Sequence, residues 1–277
     1  MIIAGDGWGA EAVYAGIIRY TKDFSISTTD ENLIKKATRD GIKIVTLEEI
    51  KNEIIVCAGY KKIILKDFLK KNRIINIHYS LLPKYRGYHS TVWAILNNEE
   101  FLGATIHLMN ENIDDGDIIF QYKVKNEIDK NSYDYMIEFN KCIEKNIYEV
   151  IKKYLNKEIL PIKQNIEEAS WVGKRNKEDC RIDFTKDSIY LKNFMRALVE
   201  PYPLPFFSYE DKEYEIIEVD YHLVKCETHL GRVLNINNQG VYIKIRDGYI
   251  VLKKLKYKDN IYLANNIIKK IGYKFIK

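Results

Sequence analysis

Short apolar runs alternate with helical patterns through the first 80 residues, and this alternation restricts the possible folds more than any other feature. Met1–Ala4, Phe24–Thr28, Ile42–Val45, Ile54–Ala58 and Ile74–Tyr79 read as strands. Between them lie Ala10–Tyr20, with Val13, Ile17 and Ile18 recurring on one face, then Leu33–Asp40, closed by Gly41, and Lys61–Lys70. Such an alternation predicts an α/β domain whose mostly parallel sheet is covered on both faces. Thr91–Asn97 continues it as a helix, and Gly103–Met109 and Ile118–Val124 continue it as strands. A long amphipathic helix over Ser132–Leu155 then carries Tyr135, Phe139, Ile143, Ile147 and Ile151 down one side.

The strand at Ile74–Tyr79 is the chemically interesting one. A period of two puts Ile75, Ile77 and Tyr79 on one face and Asn76, His78 and Ser80 on the other. An amide and an imidazole thus point the same way, and the loop that follows carries Pro83, Lys84, Arg86 and Gly87. In open α/β sheets, ligands sit beyond the carboxyl ends of strands. The Gly5-Asp6-Gly7-Trp8-Gly9 turn, between the first strand and first helix, is a second candidate contact. Glycines can simply make the turn tight, or the backbone can approach a substrate phosphate. Dinucleotide binding is disfavoured, because Thr28-Thr29 stands where an acidic residue is expected and Asp30 follows.

Composition narrows the partners. A net charge of +5, spread along 277 residues, is no nucleic-acid footprint, although a polyanionic small molecule is not repelled. No apolar run approaches the roughly 20 residues of a membrane span, and the N-terminus lacks a signal-peptide profile, so a cytoplasmic protein is expected. Cys57, Cys142, Cys180 and Cys226 have no CxxC spacing and read as reduced thiols; no metal is expected. From Pro161 to Asp183 the chain is polar and irregular, and Ser188–Val199 is a helix stopped by Pro201, Pro203 and Pro205. Strands follow from Phe206 to Tyr257, turning at Asn237–Gly240 and Asp247-Gly248. The expected organisation is a catalytic domain at 1–160, a linker and helix at 161–205, and a small β domain at 206–277.

Asn76-Ile77-His78, Ser80-Leu81-Leu82-Pro83, His107 and Asp114-Asp115-Gly116 stand in an order and spacing that resemble the signature of the folate-dependent formyltransferases. The match is strong over about residues 54–125. Lys174-Arg175, Arg181–Phe184, Arg196-Ala197-Leu198 and Pro201-Tyr202-Pro203 resemble more weakly the segment after the catalytic domain in the tRNA and sugar enzymes. Gly231–Leu255 resembles their C-terminal β-domain. The resemblance implies a Rossmann-like formyltransferase fold and N10-formyltetrahydrofolate as formyl donor. It also implies catalytic roles for Asn76, His78 and Asp114, with His107 behind Asp114. Transfer to an amine needs donors for the developing oxyanion and a path for protons. Asn76 and His78 suit the first, and Asp114 suits the second. The folate is expected against Ala58, Tyr60, Leu81, Ile113, Asp115 and Asp117. The substrate is expected against Gly7, Trp8, Lys84, Arg86, Tyr88 and Arg196.

The unusual N-terminal turn and shorter chain favour a nucleotide-sugar enzyme, acting on a nucleotide-linked amino-dideoxyhexose for O-antigen or related surface polysaccharide. The alternatives are a methionyl-tRNA formyltransferase and, in another class, a non-catalytic folate or nucleotide-sugar binding protein. Exposed tyrosines and isoleucines in Gly231–Leu255, on a segment too short to bury them alone, point to a homodimer through the C-terminal region.

Overall fold

A computed structural model describes residues 1–48, 50–225 and 227–275. In chain order its elements are β1 (Ile2–Ala4), α1 (Gly7–Ile18), β2 (Ser25–Ser27), α2 (Glu31–Asp40), β3 (Lys43–Ile44), β4 (Ile54–Cys57), α3 (Lys66–Lys71) and β5 (Arg73–His78). Then come β6 (Arg86–Gly87), α4 (Ser90–Leu96), β7 (Phe101–Leu108), β8 (Ile118–Lys125), α5 (Ser132–Leu155), β9 (Trp171–Val172) and α6 (Ser188–Ala197). The chain closes with β10 (Phe206–Tyr209), β11 (Lys212–His222), β12 (Val233–Asn237), β13 (Gly240–Ile245), β14 (Gly248–Tyr257), β15 (Asn260–Leu263) and α7 (Ala264–Ile267). Two compact units result. One comprises Met1–Ala94, Glu100–Lys125 and Asp134–Lys174; the other comprises Ile95–Glu99, Asn126–Tyr133 and Arg175–Lys277.

The first unit is built on a seven-stranded sheet in the order β3-β2-β1-β4-β5-β7-β8. The five strands from β3 to β5 are parallel, and β7 and β8 run antiparallel to their neighbours. On one face, Ile3, Ile75, Ile77 and Ile106 pack against Val13 and Ile17 of α1 and Ile143 and Ile147 of α5. The other face carries Ile2, Ile55, Cys57 and Ile74, with Tyr60, Ile64, Phe68 and Met109 packed on it. Strand alternation in β5 therefore sends Asn76 and His78 to this second face.

One helix is shorter than its sequence pattern. Residues 61–65 are not helical, and α3 starts at Lys66. Ile64 packs inward while Ile63 and Leu65 are 89% and 71% exposed, which is a strand-like period of two. Cys57, Cys142 and Cys180 are free thiols; Cys226 lies outside the described residues. No described helix is long and apolar enough to cross a membrane.

The second unit holds an antiparallel sheet, β10-β11-β14-β13-β12, with β15 paired to β14. Its apolar residues are better covered than their sequence spacing implies. Val241, Ile243, Ile245, Ile250, Leu252 and Leu255 are fully buried, and Phe184, Phe207, Tyr209 and Phe275 form an aromatic cluster. Gly231–Leu255 does not do this alone: β10, β11, α7 and Phe275 of the same chain complete the core.

Candidate active site

Strand pairing fixes the first part of the site. Asn76 lies directly opposite His107 in the antiparallel β5–β7 pair, and His78 lies opposite Thr105. Asn76 Nδ2 donates to His107 Nε2 at 3.1 Å and to Asp114 Oδ1 at 3.3 Å. His107 Nδ1 lies 2.8 Å from the Leu108 carbonyl. A carbonyl only accepts, so the His107 proton sits on Nδ1 and leaves Nε2 free to accept from Asn76. The same logic applies to His78, whose Nε2 lies 2.8 Å from the Tyr85 carbonyl. Its Nδ1 faces Asp114 Oδ2 at 3.4 Å.

Asp114 arrives from the opposite direction. Because β7 is antiparallel to β5, the 109–117 loop leaves the sheet beside the start of β5 and folds back over the face that carries Asn76 and His78. Asp114 sits in this loop at φ 50°, a left-handed conformation that asparagine and aspartate tolerate better than other side chains. Gly87 N–H donates to its Oδ2 at 2.9 Å, and His107 Nε2 is 3.6 Å from its Oδ1. Burial alone would raise the Asp114 pKa. The neighbouring His107 and His78 rings and the Gly87 N–H together hold it at about 2. Burial pulls His78 below its ordinary value, more strongly than Asp114 and the Tyr85 carbonyl lift it. At neutral pH the pair is thus a carboxylate facing a neutral imidazole that can accept a proton on Nδ1.

A third segment completes the corner, and sequence reading left it as polar linker. Ile162 bridges to Ile118 through two backbone hydrogen bonds of 2.8 Å. Two residues on, Gln164 Nε2 donates to the carbonyls of Asp114 (2.8 Å) and Gly116 (2.7 Å). Its Oε1 accepts from Arg86 Nε (3.2 Å) and Nη2 (2.7 Å). Beyond it β9 pairs with β6, and Arg86 N–H donates to the Ser170 carbonyl. Gly87 must be glycine here: its φ is 105°, and a Cβ would lie 2.3 Å from the Val172 carbonyl oxygen. The only prior signal for this segment was the notable polarity of residues 161–183, which does not single out Gln164.

Other expected contacts fall differently. Arg86 is 2% exposed, its Nη1 is 2.6 Å from Asp115 Oδ1, and its guanidinium lies over the Trp171 ring. It is spent on loop structure, so the expectation that it contacts substrate is corrected. Arg196 is likewise internal to the second unit. It donates to the Glu127 and Lys130 carbonyls and to Asn126 and Asn193 side chains, which leaves no fork for a substrate. Gly7 N–H is taken by Asp30 Oδ2, and Asp6 accepts from Thr28, Thr29 and Asp30. Two carboxylates at this turn make it a poor phosphate cradle. Trp8, Lys84 and Tyr88 are exposed.

Ala58 is buried and Tyr60 half-buried at the end of β4, and Ile113 is 67% exposed. A Lys66–Glu111 ion pair of 2.6 Å ties the segment after β4 to the 109–117 loop, which brings exposed Ile63, Leu65 and Ile113 to neighbouring segments. Apolar side chains flanked by backbone polar groups suit a flat heteroaromatic ring such as a pterin. Asp115 is engaged by Arg86, Asn110 and Asn112, the Asp117 carbonyl accepts from Leu108, and Leu81 packs on Gly103.

Residues 22–151 match the family model described as formyl transferase, and residues 174–270 match formyl transferase, C-terminal domain. The methionyl-tRNA formyltransferase of Caldicellulosiruptor saccharolyticus is 33% identical over 221 residues, covering 76% of this chain and 68% of that protein. That of Clostridium novyi is 29% identical, covering 77% and 70%. Among solved structures, WlaRD, a sugar 3N-formyl transferase crystallised with dTDP and 5-N-formyl-THF, superposes with a TM-score of 0.74 at 26% identity, covering 94% of this chain and 97% of that one. The N-formyltransferase of Helicobacter canadensis, in complex with folinic acid and dTDP-3-aminofucose, gives 0.71 at 25% identity, covering 91% and 97%. With both family models matched in order on a mixed α/β unit and an antiparallel β unit, the chain belongs to the formyl transferase family and is a folate-dependent formyltransferase that takes its one-carbon group from N10-formyltetrahydrofolate.

Proposed function

We propose that this chain formylates the amine of a nucleotide-linked amino-dideoxyhexose, for example dTDP-4-amino-4,6-dideoxyglucose or a 3-amino isomer, in the cytoplasmic synthesis of a surface polysaccharide such as O-antigen. The observation that carries this reading is the reach of the likeness. The superposition spans 94% of this chain and 97% of the sugar 3N-formyl transferase, at a TM-score of 0.74. The modest net charge of +5 also fits a small anionic substrate better than a tRNA, which demands a strongly basic surface. The second reading, methionyl-tRNA formylation, is favoured by the identities of 29–33% to those enzymes.

Bound N10-formyltetrahydrofolate supplies the formyl carbon, and Ala58, Tyr60 and Ile113 would hold its ring. His78 Nδ1, unprotonated at neutral pH, would take the proton that the amine loses, Asp114 would stabilise the imidazolium so formed, and that proton would pass on to the folate nitrogen as its bond to the formyl carbon breaks. Asn76 donates to the carbonyl oxygen by releasing its longer bond, the one to Asp114. His107 keeps the Asn76 amide oriented. Trp8, Lys84 and Tyr88, exposed in the same unit, are the remaining candidates for substrate contact. A homodimer through the second unit is part of this reading, with exposed Ile217, Leu223, Val224, Ile261 and Leu263 as its apolar contacts.

The test is a panel of nucleotide-linked amino sugars, differing in base and amine position, assayed with N10-formyltetrahydrofolate. Saturable turnover on one member supports the reading. Turnover on none of them, with methionyl-tRNA formylated, overturns it.

A further inference from the structure

We propose that Gln164 is a positioning residue for formyl transfer, holding the strained Asp114 backbone so that its carboxylate faces His78. Every polar valence of the Gln164 amide is used for this. Both Nε2 hydrogens go to carbonyls of the 109–117 loop, at Asp114 and Gly116, on either side of Asp115. Both Oε1 lone pairs go to Arg86. Arg86 in turn reaches Asp115 through Nη1, which closes a ring of Gln164, Arg86 and the Asp114–Gly116 backbone. The residue after Arg86, Gly87, donates its N–H to the Asp114 carboxylate. One side chain therefore grips the backbone of the catalytic loop and the segment that orients the loop's carboxylate.

The grip is anchored to the sheet. Ile162 pairs with Ile118 of β8 two residues before Gln164. It also opposes a real force. Asp114 holds φ 50°, a left-handed conformation that a non-glycine residue keeps only where its surroundings enforce it. Once the two carbonyls are released, the loop can relax to negative φ, and the Cβ of Asp114 swings away from His78. A shift of about 1 Å in a catalytic group is enough to lower turnover by about 10²-fold.

Two variants separate positioning from packing. Gln164→Leu removes all four hydrogen bonds. Gln164→Glu keeps an acceptor for Arg86, and strengthens it with a charge, but presents an acceptor to the two loop carbonyls. If the donor half positions Asp114, both variants lower kcat by at least about 30-fold, with the acceptor KM within about threefold. The inference rests on the role proposed above for Asp114, so a second readout needs no acceptor. The Asp114 carboxyl carbon is followed by NMR in wild type and variants that retain native circular dichroism. It should stay flat from about pH 7 to about pH 4 in wild type, whereas in both variants it should already be about half-titrated at about pH 4, as a carboxylate freed from its partners is. A flat signal in both variants, or kcat within about threefold of wild type, overturns the proposal. So does failure of both variants to fold, which would make Gln164 a stability residue.

Discussion

Asp114→Asn isolates the charge that the proposed mechanism depends on. Asparagine keeps the size of the side chain and an oxygen that can still accept from Gly87 N–H. What it removes is the negative charge 3.4 Å from His78 Nδ1, together with the acceptor for the longer of the two Asn76 hydrogen bonds. Two unit charges at that distance attract by about 5 kcal/mol at an effective dielectric of about 20. A proton half transferred to His78 in the transition state feels about half of this, which corresponds to roughly 10²-fold in rate and agrees with the usual range for general acid–base groups. The prediction is a fall of about 10²-fold in kcat with the acceptor KM little changed, measured by product mass spectrometry. The acid limb of kcat/KM should fall below the ordinary histidine value in wild type and lower still in the variant, because Asp114 is what lifts His78 against burial. Stability should change with a defined pH dependence. A carboxylate whose folded pKa of about 2 lies below its unfolded value adds about 2 kcal/mol above about pH 4, and this is lost as pH falls through about 2. Denaturant midpoints of wild type and variant should therefore differ at neutral pH and converge in acid. Turnover within about threefold of wild type, with an unmoved acid limb, would refute the reasoning.

Arg196→Ala should destabilise the protein by roughly 1–3 kcal/mol, because it removes the guanidinium hydrogen bonds to the Glu127 and Lys130 carbonyls and to the Asn126 and Asn193 side chains. Activity per folded molecule should stay at the wild-type level; a raised acceptor KM at full stability would restore Arg196 as a substrate contact. Gly87→Ala should break the β6–β9 pairing and withdraw the N–H from Asp114, so kcat falls with stability, as a denaturation curve and steady-state assay will read. Light scattering at micromolar concentration should give a dimer mass; a clean monomer would remove the dimer and leave the chemistry untouched.

The alternation of strands and helices made the parallel sheet legible, because a buried sheet needs apolar runs of strand length whatever covers it. The period of two in β5 likewise placed Asn76 and His78 on one face. Two things were not legible. Arg86 and Arg196 look like phosphate ligands in a sequence, since a guanidinium serves a buried carbonyl or carboxylate as well as a substrate. Gln164 is about 50 residues from the loop it holds, and nothing in its neighbours' composition encodes that contact.

The most direct measurement is a competition in one tube. Carbon-13-formyl-labelled N10-formyltetrahydrofolate is mixed with equal concentrations of dTDP-3-aminofucose, dTDP-4-amino-4,6-dideoxyglucose and methionyl-tRNA, and the labelled formamide is followed by NMR and mass spectrometry. Label should appear on a sugar amine with wild-type protein and fall by at least about 10²-fold with His78→Ala. Label on methionyl-tRNA alone, or undiminished label on the sugar with His78→Ala, would contradict the account.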